Sequence, residues 1–490
     1  MVTKMFNLDF DGTAVVADDG RIVSYAELKR RTDEWAAKVP TRSLVFLLVG
    51  NNLDSLVAYV ACLNHGIVPL MLDAKIDGQL LQRFKDIYRP DFIWRPSESG
   101  YVLITGYTEY TENASENIPC VPWFKSKKLY PDLALLLTTS GSTGSPKLVR
   151  QSYKNIRANT QSIVEYLKLD STERPITTLP MNYTYGLSII NSHLAVGATI
   201  PLTEKSIVQR EFWNFFTEQG ATSFGGVPYT YEMLDKLMFF RRKLPSLRTM
   251  TQAGGKILPA LHQKFAEYAQ REGKNFVVMY GQCEATARMS YLPPERALDK
   301  VGSMGVAIPG GKFTLVDADG KEILESETVG ELVYEGENVT FGYAECADDL
   351  AKGDERHCRL ETGDMAKRDV DGFYYIVGRK KRFLKIFGNR VNLDETERMI
   401  KAQFVGIDCA CSGVDDKMKI YVAVGMGKKN SATCDSEIRE FVSEKTHINI
   451  VAFEVVSIDE IPKNASGKTL YSELPKKACK TVCTDFLPKP

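Results

Sequence analysis

The sequence predicts an α/β protein. A large N-terminal domain of doubly wound sheets carries a small antiparallel β element, and a hinge joins it to a small α+β C-terminal domain. Three observations lead there. Strand-like and helix-like stretches alternate across residues 40–290, the pattern of a mostly parallel sheet wrapped by helices. After about residue 300 apolar and polar residues alternate between D-G and G-E turns, as in hairpins. The basic, glycine-flanked run GRKKRFLKIFGN at 378–389 then precedes a last helix, strand and helix. The domains are accordingly drawn as 1–380 and 381–490.

The elements follow in order. SYAEL at 24–28 fits a capping box, with Ser24 accepting from the Glu27 amide and Glu27 reaching back. SLVFLLVG at 43–50 is a buried strand, LDSLVAYVACLNHG a helix closed by Gly66, and VPLML at 68–72 a second strand. Strand, helix and strand at this spacing make a βαβ unit. SFGGV leads into helical YTYEMLDKLMFF, LRTMTQAGG into helical LPALHQKFAEYAQREG, and NFVVMYGQCEAT is a strand ending in a glycine turn. KFTLVDADGKEI and GELVYEGENVTFGY are hairpin strands, while NLDETERMIKAQF, KIYVAVGM and DSEIREFVSEKT read as helix, strand and helix.

Composition excludes several classes. Sixty-two basic residues balance 62 acidic ones, so no global charge points to nucleic acid or an anionic membrane. No run of roughly 18 apolar residues predicts a membrane helix. The N-terminus lacks a basic start followed by a long apolar run, so no signal peptide is predicted. Ten scattered cysteines suit a reduced, cytoplasmic protein. Cys409 and Cys411 form a C-x-C without a second ligand pair nearby and read as ordinary small residues. The five histidines, at 65, 193, 262, 357 and 447, show no metal spacing.

The stretch TTSGSTGSPK at 138–147 follows an apolar strand, LALLL, directly. Its glycines permit close approach to a ligand, its amides can form an anion-binding nest, and Ser140, Ser142, Thr143 and Lys147 add donors and charge. Such a loop could hold a polyphosphate. It is not a Walker A loop, because Lys147 stands three residues beyond Gly144 with Pro146 between. A flexible Ser/Gly linker is the alternative. Four further clusters accompany it. YGQCEAT at 280–286 puts an aromatic face and a carboxylate at a strand's carboxyl end. LETGD at 360–364 ends a turn with an exposed carboxylate suited to ribose hydroxyls, 371–391 supplies arginines beside a glycine hinge, and IPKNASGK ends with Lys468 on a short turn.

These five motifs, in this order from about Asp19 to Leu470, resemble the core motifs of the adenylate-forming superfamily: acyl-CoA synthetases, peptide-synthetase adenylation domains and luciferases. The resemblance implies ATP and Mg²⁺ as cofactors. Thr139, Ser140, Gly141, Ser142, Thr143, Gly144 and Lys147 would close over the β- and γ-phosphates. Gly254 and Gly255 match the adenine-edge turn, Tyr280 would stack on adenine, and Gly281 is a further cofactor-binding residue. Glu284 would bind Mg²⁺, Asp364 the ribose hydroxyls, and Arg379 ribose or phosphate. Lys468 would reach the carboxylate oxygen and α-phosphate during adenylation. Tyr183, Tyr185, Gly225 and Gly226 match the acyl pocket, although the two tyrosines also read as plain core aromatics. Lys381 matches the hinge residue, commonly Asp in the family, and Lys385–Gly388 the segment that admits a pantetheine arm. Cys283 replaces the usual threonine and is a weaker donor toward the α-phosphate. TLYSEL follows Lys468 where an arginine is frequent.

The resemblance therefore implies an ATP-dependent acid–thiol ligase. It would activate a small-molecule carboxylic acid as acyl-AMP, release pyrophosphate, and pass the acyl group to CoA or to phosphopantetheine on a stand-alone carrier protein. No nucleic-acid partner or integral membrane association is expected. The alternatives are a catalytically degenerate nucleotide-binding homologue, an adenylation enzyme with a non-thiol acceptor, and a phosphotransferase that would yield ADP.

Overall fold

A computed structural model describes residues 4–97, 100–105, 128–138, 147–387, 389–404, 406–424, 432–463 and 469–474. The chain divides into two compact units, Met1–Thr362 with Ala366–Ile376, and Gly363–Met365 with Val377–Pro490.

The first unit is organised by a seven-stranded sheet ordered Gly342–Ala344, Leu148–Ser152, Leu133–Thr138, Val68–Asp73, Leu44–Val49, Phe92–Ser97, Gly100–Thr105. Its middle strands are parallel, and its outer pairs are antiparallel. Strand Leu44–Val49 is buried throughout because it is covered on both faces. Val45, Leu47 and Val49 join a core with the helices Tyr25–Ala36 and Leu53–Asn64. Leu44, Phe46 and Leu48 join the opposite core with Phe84 and Tyr88 of helix Gly78–Tyr88. The expected βαβ unit is present, its two strands paired in parallel from Leu44↔Val68 to Val49↔Asp73. Only half of the expected capping box forms. Ser24 accepts from the Glu27 amide at 3.1 Å, but the Glu27 carboxylate takes Arg30 and Arg31 instead. Two guanidinium partners outcompete one amide for the same oxygens.

A five-stranded sheet follows the order Ser223–Gly226, Thr249–Gln252, Asn275–Tyr280, Ser290–Tyr291, Val306–Ala307, with its first three strands parallel. In Asn275–Tyr280, Phe276 and Val278 enter an aromatic core formed with helices Pro228–Lys236 and Pro259–Arg271. Val277 and Met279 face the other way, toward Tyr185 and Ile189 of helix Thr184–Ala195. A four-stranded sheet contains the expected antiparallel pair, Gly311–Val316 with Gly330–Gly336.

In the second unit, the hairpin Phe383–Ile386 with Asn389–Asn392 leads to helix Leu393–Gln403 and a three-stranded sheet backed by helix Ala432–Thr446. Cys409 and Cys411 are both core residues of that sheet. A buried polar network ties distant segments together. Arg382 pairs with Asp394 and Glu397, each at 2.5 Å, and stacks 3.7 Å above the Tyr471 ring. Tyr471 donates to the other Glu397 oxygen at 3.0 Å. Burial holds the Glu397 carboxyl above its ordinary range against the pull of Arg382. Lys463 and Thr469 form a β-bridge, and the Leu470 amide donates to the Pro462 carbonyl at 2.8 Å.

Candidate active site

The carboxyl ends of three adjacent parallel strands carry much of the expected site. Gly225 and Gly226 end Ser223–Gly226, Gly254 and Gly255 follow Thr249–Gln252, and Tyr280 ends Asn275–Tyr280. Open α/β sheets bind ligands at such ends. Gly254 adopts φ +81, and a Cβ there would come 2.6 Å from the Tyr183 hydroxyl. The Gln252 amide fixes that turn by donating to the Gly255 carbonyl at 2.9 Å. Tyr185 is buried, its hydroxyl 2.7 Å from Thr251 Oγ1 and its ring edge-on to Tyr183 at 6.3 Å. Burial pushes the Tyr183 phenol up to about 12. Of the four expected pocket residues, Tyr183 and Tyr185 meet each other and Tyr185 lies over Gly225, while Gly226 faces Thr230 and Tyr231 instead.

Beyond Tyr280 the chain makes a tight hook. Gly281 abuts the Ala287 carbonyl so closely that any side chain would overlap it. Cys283–Ala285 form a 3₁₀ turn, and Thr286 (φ 58) and Ala287 (φ 111) reverse the backbone. Such conformations need tertiary support, and here the Glu284 carbonyl accepts from the Thr340 amide at 3.0 Å and from Arg356 at 3.1 Å. The Tyr280 hydroxyl accepts from Gln282 Nε2 at 3.0 Å, which also donates to the Thr362 carbonyl. Cys283 Sγ lies 4.0 Å from the Thr138 carbonyl, at the point where the chain enters the Ser/Gly loop.

Lys147 and Glu284 are brought together by a residue that sequence reasoning missed. Tyr343, on strand Gly342–Ala344, donates its hydroxyl to Glu284 Oε1 at 2.7 Å. The ammonium of Lys147 sits 3.8 Å from the Tyr343 ring centroid, and the Arg356 guanidinium 4.6 Å from it. Lys147 also pairs with Glu345 at 3.1 Å. Burial, and then the Glu284 charge, raise the Tyr343 phenol well above its ordinary value, so it remains a donor. This is the core of the site: one oriented carboxylate, a phenol and two cations. The residues fit a magnesium nucleotide. Such an ion typically takes one or two carboxylates plus phosphate oxygens, and only one Glu284 oxygen is engaged among the described residues. Among those residues no cluster of three His, Cys, Asp or Glu side chains could hold a metal alone.

Asp364 departs from expectation. It lies inside strand Arg359–Arg368 and is 5 % exposed, so LETGD is strand rather than an exposed turn. Gly363 keeps a turn-like φ of +69 within that strand, which explains the misreading. Arg379 Nε stands 3.4 Å from Asp364 Oδ1. Lys385 is exposed on the hairpin strand Phe383–Ile386. The residues Thr139, Ser140, Gly141, Ser142, Thr143, Gly144, Gly388 and Lys468 lie outside the described residues, as does the side chain of Lys381. Of the histidines, His65 faces Asp33, while burial pushes His193 and His262 down to about 4.

Glycine turns, an aromatic ring and a phenol-held carboxylate at parallel strand ends define an α/β nucleotide-binding enzyme. The chain belongs to the AMP-binding enzyme family, whose sequence profile matches residues 8–344, and so to the adenylate-forming superfamily. It is similar to the 2-succinylbenzoate–CoA ligase of Oceanobacillus iheyensis, 24% identical over 97% of this chain and 98% of that protein. It is 28% identical to 4-coumarate–CoA ligase-like 4 of Oryza sativa subsp. japonica, over 75% of this chain and 67% of that one. The fold matches O-succinylbenzoate coenzyme A synthetase from Bacillus subtilis in complex with AMP, at a TM-score of 0.78, 21% identity and 96% coverage of each chain. The chain is thus an AMP-binding enzyme with an AMP-forming, acyl-CoA-ligase-like architecture. No helix among the described residues is long and apolar enough to cross a membrane.

Proposed function

We propose that this protein is an ATP-dependent acid–CoA ligase. It activates a carboxylic acid as acyl-AMP with release of pyrophosphate, then forms a thioester. One observation carries the reading: Tyr343 holds Glu284 beside Lys147, the residue at which the chain leaves the Ser/Gly loop. A carboxylate attacking the α-phosphorus of ATP meets like charge, so catalysis here is positioning plus charge compensation. Lys147 with Thr139–Gly144 holds the β- and γ-phosphates, and Glu284 would hold Mg²⁺. The ion would offset phosphate charge when bound. Gly254, Gly255 and Tyr280 seat adenine, Gly281 and Cys283 shape the turn beside it, and Asp364 and Arg379 hold ribose. Lys468 neutralises the reacting oxygens.

We assign the acyl pocket to Tyr183, Tyr185, Gly225 and Gly226. Residues 1–380 hold nucleotide and acid. Residues 381–490, hinged at Lys381, present Lys468 for adenylation and Lys385 with Gly388 for the thiol step. CoA is the acceptor favoured by the CoA ligases among the relatives, ahead of a carrier-protein phosphopantetheine. Ten cysteines scattered without a paired spacing are in keeping with a reducing, cytoplasmic setting.

The test is pyrophosphate exchange over a panel of carboxylic acids, followed by product analysis with CoA and with carrier protein. AMP, pyrophosphate and an acyl-CoA are expected. Formation of ADP, or nucleotide binding without exchange for any acid, overturns the reading.

A further inference from the structure

Two arginines rank among the largest fully buried side chains described, and they differ in one respect. Arg150 pairs with Glu355 and donates to the carbonyls of Phe341, Tyr343 and Gly353. Arg288, 2 % exposed, is hydrogen-bonded to neutral groups. Its Nε donates to Ser188 Oγ at 3.1 Å, and its Nη1 to the Tyr166 hydroxyl at 3.0 Å with Met279 Sδ at 3.5 Å. Its guanidinium carbon lies 5.2 Å from the Tyr185 ring centroid. Among the described residues no carboxylate pairs with it and no bond to Nη2 is present. A cavity whose lining includes its partner Ser188 and the neighbouring Thr286 measures only about 10 Å³, at most room for one water. A buried cation left without an anion is costly, so a packing role alone is a poor account of it.

Its placement is deliberate. The strained pair Thr286–Ala287 aims it, and its carbonyl is pinned by Asn159 Nδ2 at 2.8 Å and Asn338 Nδ2 at 3.1 Å. It leaves the chain four residues after Glu284 and ends against Tyr185, the pocket tyrosine over Gly225. We propose that Arg288 is the specificity-determining residue of the acyl site and that its missing counter-charge is a second carboxylate on the acid substrate. The proposal rests on the ligase reading and narrows it to dicarboxylic acids. The reacting carboxylate lies at the phosphate end, and the other meets the Arg288 guanidinium in place of water.

The experiment compares succinic, glutaric, adipic and phthalic acids with their monomethyl esters, which keep the chain and remove one charge. Wild type is expected to prefer at least one diacid over its ester in pyrophosphate exchange. Arg288→Met, apolar and of similar length, should lose that preference by about 10- to 100-fold, the range for a hydrogen bond to a charged group. Arg288→Lys should recover part of it. Calorimetric titration of the same diacids in the presence of AMP reads the site without turnover. Absent exchange with intact diacid binding that Arg288→Met abolishes would sink the ligase reading and keep the anion site. Equal affinity for diacid and ester in wild type, or unchanged preference in a folded Arg288→Met, overturns the proposal. Thermal unfolding supplies a further check. Without ligand, Arg288→Met should unfold at the same or a higher temperature than wild type, because an unpaired buried charge is removed. A large loss of stability would instead make Arg288 a packing residue.

Discussion

Replacing Tyr343 by phenylalanine removes one oxygen and leaves the ring where it is. The oxygen matters because it donates to Glu284 Oε1 at 2.7 Å. A hydrogen bond to a charged acceptor contributes about 1.5–3 kcal/mol, or about 10- to 100-fold in an equilibrium constant. Residues that orient a metal-binding carboxylate typically carry the same 10- to 100-fold effect on metal affinity. The faces offered to Lys147 at 3.8 Å and Arg356 at 4.6 Å survive the change, so phosphate contacts should persist. The expected signature of Tyr343→Phe is therefore selective. The Mg²⁺ concentration giving half-maximal pyrophosphate exchange should rise by that factor, while the KM for ATP at saturating Mg²⁺ moves little. Tyr343→Leu, which also removes the ring, should weaken both, with about 0.5–1 kcal/mol more lost per partly exposed cation. The assay is exchange rate against free Mg²⁺ at fixed ATP. An unchanged Mg²⁺ midpoint in Tyr343→Phe would refute the assignment of Glu284 as the oxygen ligand.

Three other outcomes follow from the same geometry. Gly281→Ala places a methyl on the Ala287 carbonyl, which the backbone cannot cede cheaply, so destabilisation near the upper end of overpacking, about 3 kcal/mol, and loss of exchange are expected in denaturant titration and activity assay. Lys468→Ala should nearly abolish adenylate formation yet largely spare thioester formation from synthetic acyl-AMP, and equal loss of both half-reactions in a folded variant argues against a hinged division of labour. His193 and His262 fall to about 4 on burial from an ordinary 6.5. Between those values the unfolded chain binds more protons than the folded one, so stability is full above pH 6.5 and falls as the pH drops toward 4. The loss is about 3 kcal/mol from each. Unfolding free energies measured from pH 7.5 to pH 4.5 should show this slope, and His193→Gln should about halve it.

The fold was readable where a run of side chains had one physical solution. A continuous apolar strand such as Leu44–Val49 must be covered on both faces, and the helices needed to cover it stand beside it in the chain. The site was readable where chemistry is crowded into neighbouring residues, as in the glycine turn and carboxylate after Tyr280. It was not readable where partners meet only in space. Tyr343 lies 59 residues from Glu284 in sequence, in a stretch that looks like any hairpin strand. Arg288 resembles one more surface arginine until its hydrogen-bond partners prove neutral. The aspartate of LETGD misled for a different reason, because glycine at a left-handed φ sits inside a strand as readily as in a turn.

Lys463 and Thr469 are joined by a β-bridge, and Tyr471 is clamped just beyond it by Arg382 and Glu397. A tilt of the 3₁₀ turn Lys380–Arg382 is therefore passed on to Tyr471 instead of being absorbed between them. A change at Arg382 would then be felt some eighty-nine positions downstream in sequence, at Tyr471.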